Sequence, residues 1–120
     1  MSVVLEKNQA QTIAYLQGEI DHHTAREIRN IIDLCIDEDK PAELVLDFGG
    51  VTFMDSSGIG LVMGRYKLVT DYNGKLRIQN TPHHMRTVMR LSGLDRLAVI
   101  DNKPHKHDRM EQEYENTQSV

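Results

Sequence analysis

The chain has no tryptophan, two phenylalanines, three prolines and one cysteine in 120 residues. One cysteine excludes an internal disulfide, and Cys35 falls on the apolar stripe of a helix-patterned segment, which fits a reduced, cytoplasmic core position rather than a reactive thiol. Long apolar runs are missing too, so no membrane span is expected. The first residues lack a basic region followed by an apolar stretch and a small-residue cleavage site, and no secretory signal is read there. Positive charge is not in excess: 14 Lys and Arg face 18 Asp and Glu, a formal net charge of −4, which argues against a direct nucleic-acid surface. No set of side chains has metal-ligand spacing. Adjacent His22 and His23 diverge, and His105-Lys106-His107 sits in a polar tail.

What the chain does have is patterning suited to one two-layer domain. Val3-Val4-Leu5 and Thr12–Leu16 are β-leaning runs either side of the polar Lys7–Gln11, as in a hairpin whose second strand is closed by Gly18. Thr24 and Glu27 have capping-box spacing ahead of Ala25, Ile28, Ile32 and Cys35, which predicts a helix from about Thr24 to Asp37 and leaves Asp21, His22 and His23 in the loop before it. Ala42–Phe48 reads as a buried strand ending at Gly49-Gly50. A second helix is expected from about Ser57 to Tyr72, then an alternating strand at Lys75–Gln79. Thr81-Pro82 should open a third helix with Met85, Val88 and Met89 inward, ended at Ser92-Gly93-Leu94, and Leu97–Ile100 a last strand. The expected class is therefore α/β: a mixed sheet of about five strands with a hairpin start and helices packed on it. The domain is placed at residues 1–103, with a polar tail or marginal helix at 104–120.

The stretch around which this pattern turns is Phe53-Met54-Asp55-Ser56-Ser57-Gly58-Ile59-Gly60. An apolar run stops at Asp-Ser-Ser-Gly, and helical spacing begins beyond it. Asp and Ser are good N-caps, which accounts for the composition without any function. Gly60 and Gly64, however, lie one turn apart inside the helix, where each costs about 1 kcal/mol relative to Ala, so close backbone approach is expected on that stripe. For Gly64 the approach is expected to be packing. A phosphate on a serine at a helix N-terminus is stabilised by free N–H groups and the helix dipole, so the label need not unfold the domain. An enzyme reading, with Ser56 or Ser57 as nucleophile, lacks the Gly-x-Ser-x-Gly elbow and a placed imidazole.

With Gly64-Arg65-Tyr66-Lys67 after it, Gly18-Glu19-Ile20-Asp21-His22-His23-Thr24-Ala25 before it and Leu91-Ser92-Gly93-Leu94 later, this stretch resembles the anti-sigma factor antagonists of the STAS domain family, most of all the anti-sigma F type of Bacillus-type sporulation. The resemblance covers about residues 3 to 100 and fades in the tail, where such antagonists finish with a more amphipathic helix. It implies a non-enzymatic protein that, unphosphorylated, binds an anti-sigma factor that is also a serine kinase, and so frees a sigma factor. Phosphorylation by that kinase, which supplies ATP and magnesium, ends the interaction, and a serine phosphatase restores it. No cofactor is intrinsic. The acceptor implied is Ser56, with Ser57 the adjacent alternative. The surface implied for the partner takes in Asp21, His22, Met54, Asp55, Ser57, Gly58, Gly60 and Arg65, the last at its rim. Met54 by itself reads more readily as core. The other readings are a STAS regulator of a general stress-response sigma pathway and a ligand-binding or scaffold STAS module.

Overall fold

In the computed structural model, which describes residues 2–97, 99 and 100, β1 (Val3–Lys7) and β2 (Gln11–Ile20) form the antiparallel hairpin. Alternate side chains of β2, Thr12, Ala14, Leu16 and Ile20, are buried, while Ile13 and Tyr15 are half-buried on the other face. Gly18 does not end the strand. It takes φ +80°, the register of pairing shifts around it, and the strand runs on as a bulge to Ile20.

The first helix, α1 (His22–Asp39), starts two residues before the expected Thr24. Asp21 is its N-cap: its Oδ1 accepts from the N–H groups of His23 and Thr24 at 2.9 Å each, and the Asp21 N–H donates to Thr24 Oγ1 at 2.9 Å. The capping box is therefore Asp21 with Thr24, not Thr24 with Glu27. A carboxylate at the positive end of the helix favours that choice. His22 and His23 consequently occupy the first turn of α1 rather than a loop. Ala25, Ile28, Ile32 and Cys35 are buried as the spacing predicts.

The next strand, β3 (Glu43–Met54), passes straight through Gly49-Gly50 as 12 continuous residues, parallel to β2. Asp47 helps this irregular stretch to keep its polar groups paired. Its carboxylate accepts from Gly49 N–H, Gln79 Nε2 and Asn80 Nδ2, each at 2.8 Å. Then come α2 (Ser56–Thr70), β4 (Lys75–Gln79), α3 (His83–Leu91), α4 (Leu94–Leu97) and β5 (Val99–Ile100). Thr81 does not cap α3. Pro82 stands at the N-cap with no side-chain bond, and Val88 is 49% exposed while Met85 and Met89 face inward, so the buried stripe is narrower than expected. Gly93, at φ +85°, and the buried Leu94 end the helix as predicted.

Among the described residues the five strands lie in the order β1-β2-β3-β4-β5, the first pair antiparallel and the others parallel. Leu44, Leu46, Phe48 and Ile78 of the sheet meet Ile28, Ile32, Val62 and Met89 of the helices in one core. The expected polar tail at 104–120 lies outside the described residues.

Candidate functional site

Because β2 and β3 are parallel, both deliver the chain to the same end of the sheet. There β2 turns into α1 through Asp21, and β3 turns into α2 through Asp55. The Asp55 N–H donates to the Ile20 carbonyl at 3.0 Å, which ties the two turns together. Asp21 and Asp55 thus act alike, each an extended N-cap residue whose carboxylate accepts from the first turn of its helix.

Asp55 takes the Ser57 N–H at 2.8 Å, and the Gly58 N–H donates to the Asp55 carbonyl at 3.0 Å. Ser56 is then the first residue of α2 and exposed; Ser57 follows, half-buried. Neither hydroxyl has a hydrogen-bond partner among the described residues. An unbonded, exposed hydroxyl at a helix start can receive a phosphoryl group, whereas an activated nucleophile needs a base held against it. Beside this turn, the Thr24 N–H holds the Asp21 carboxyl below the usual carboxylate range, helped by the His23 N–H and the Thr24 hydroxyl against a smaller effect of burial. Asp21 is therefore a settled negative charge.

The other expected residues divide. His22 and Ser57 line one groove between α1 and α2, and Gly60 opens onto it. Gly58 is not held open for a partner. Met54 Cγ and Sδ fill the place where its Cβ would stand, so this glycine is explained by packing within the turn. Met54 itself is half-buried against the core. Gly64 corrects the opposite expectation: a Cβ there would meet nothing within 4 Å, so it is not a packing glycine. Arg65 is not at an exposed rim. It is 5% exposed, with Nε 2.8 Å from Asp33 Oδ1, because its position on α2 faces α1.

Three residues escaped the sequence reading. Phe53 is 52% exposed at the end of β3, beside the serines, and so is an apolar contact in the open that a partner could cover. Its signal was weak, since in an apolar run alternation does not say which of Phe53 and Met54 points out. Arg26 and Arg29 line the α1–α2 groove opposite Ser57 and Gly60, and were hidden among ordinary surface charges.

A model of the STAS domain matches residues 2–107. The anti-sigma F factor antagonist of Paenibacillus polymyxa is 32% identical over 104 residues, covering 86% of this chain and 89% of that protein. Among solved structures, the anti-sigma factor antagonist SpoIIAA in its unphosphorylated form superposes with TM-score 0.69 at 25% identity, covering 98% of this chain and 99% of its own. The phosphorylated form of the Bacillus cell fate determinant SpoIIAA gives TM-score 0.69 at 29% identity, over 92% of this chain and 97% of its own. No helix among the described residues is long and apolar enough to cross a membrane.

Proposed function

The chain belongs to the STAS domain family, and from that membership we propose that it is an anti-sigma factor antagonist switched by phosphorylation of Ser56. Unphosphorylated, it binds a cytoplasmic anti-sigma factor that is also a serine kinase, and the sigma factor so released drives transcription, in sporulation. The kinase brings ATP and magnesium and transfers phosphate to Ser56. A serine phosphatase reverses the step. The observation that carries this reading is the exposed, unbonded Ser56 hydroxyl at the start of α2, on a turn tied to the Asp21 turn through Ile20. Asp21, His22, Asp55, Ser57 and Gly60 offer the partner its polar surface, and Phe53 its apolar contact; Met54, Gly58 and Arg65 hold that surface in shape.

Charge alone makes the switch work. A phosphate adds about 1.5 to 2 negative charges beside Asp55 and Asp21, in a contact that must lose water to form. A differential cost of ~3 kcal/mol lowers affinity by about two orders of magnitude without refolding the domain. The test is intact mass with peptide mapping after incubation with ATP and the kinase encoded nearby in the genome. One phosphate on Ser56, with loss of kinase binding, supports the switch. An unmodified protein, under conditions where that kinase labels its own known substrate, defeats it.

A further inference from the structure

The groove between α1 and α2 has a volume of about 470 Å³ and is lined by three arginines, Arg26, Arg29 and Arg65, in a chain of net charge −4. Arg65 is buried: its Nε is paired with Asp33 Oδ1 at 2.8 Å, while its Nη1 has no hydrogen-bond partner among the described residues. That pairing is incomplete. Burial holds the Arg65 guanidinium below its ordinary value, Asp33 works against this, and nearby Arg29 reinforces it. Asp33 is itself shared with Arg29, so the groove is short of negative charge. Its α2 wall is bare, because a Cβ on Gly60 or Gly64 would meet nothing within 4 Å.

We propose that this groove is a binding site for a phosphate dianion, held by Arg26, Arg29 and Arg65 between α1 and α2. A dianion supplies several acceptor oxygens to guanidinium donors converging from two helices, which one carboxylate cannot do. The volume exceeds that of inorganic phosphate and is in the range of small-ligand sites, so there is room for the compact organic body of a phosphomonoester. The site is separate from phosphorylation of Ser56 and does not rest on it.

The test is a ¹H–¹⁵N NMR titration of the unmodified protein with inorganic phosphate and, separately, with O-phosphoserine, both at constant ionic strength. Saturable shifts confined to Ser57, Gly60, Gly64 and the arginine side chains are expected. Tighter binding of O-phosphoserine assigns the site to organic phosphomonoesters, and equal binding assigns it to phosphate itself. Arg29→Gln removes an exposed donor, and Gly64→Leu fills the groove without altering a charge. Each should weaken binding by roughly tenfold or more while the spectrum remains that of the folded protein. Shifts that do not saturate, or affinity unchanged in both variants, would overturn the proposal.

Discussion

Met54 lies across the space that a side chain on Gly58 would need: its Cγ and Sδ are the nearest atoms to the missing Cβ. The end of β3 and the first turn of α2 are thereby interlocked on either side of the Asp55-Ser56-Ser57 stretch. Gly58→Ala should cost about 1 to 3 kcal/mol by forcing Met54 out of its rotamer. Adding Met54→Ala should return part of that loss. Denaturant unfolding of the two single variants and the double checks whether they couple.

The glycines farther along α2 predict the reverse. Gly60→Ala and Gly64→Ala meet no neighbour and replace a poor helix residue with the best one, so each should stabilise the domain by up to about 1 kcal/mol. Urea midpoints that fall instead would mean that the helix does not tolerate a methyl group on its groove side.

Asp21 gives a pH-dependent test. Its folded-state pKa is depressed, first by the Thr24 N–H, so its contribution is complete above the unfolded-state value and lost as pH falls through the folded one. Asp21→Asn keeps an acceptor for the cap but removes the charge. Its stability deficit should be present at neutral pH and vanish in acid, while Asp21→Ala remains the less stable variant at both. If the two bind the anti-sigma factor equally poorly, the carboxylate itself touches the partner.

The acceptor can be assigned by substitution. Ser56→Ala should bind the kinase and resist labelling, Ser57→Ala should still be labelled, and Ser56→Asp should bind at least about tenfold more weakly. Calorimetry with the kinase and a phosphate-transfer assay read these separately. Retained labelling of Ser56→Ala would move the site to Ser57.

Much of this fold was legible because apolar spacing survives in the elements that cover the sheet, as in Ala25, Ile28, Ile32 and Cys35. Boundaries were harder where two caps compete. Thr24-x-x-Glu27 read as the capping box, whereas the structure pairs Asp21 with Thr24, and the pairing of Ile20 with Met54, remote in sequence, fixes the chain at Asp21. Gly49-Gly50 looked like a strand end because glycine weakens strands, but donors from Gln79 and Asn80 to Asp47 sustain the stretch. Of the site, the Asp-Ser-Ser turn was visible as local chemistry. Arg65 was not, since a charge is assigned to the surface by default and only the packing of α1 against α2 places Asp33 opposite it.

Spatial order in the sheet repeats chain order, and this bears on how the domain is made. Ile13 lies beside Val45, Val45 beside Arg77, and Arg77 beside Val99. Each new strand therefore docks on the one synthesised just before it, closing loops of similar, modest length and never waiting for a distant segment. A ribosome releasing this chain can lay down the sheet strand by strand, with each exposed edge taken up by the next strand to emerge.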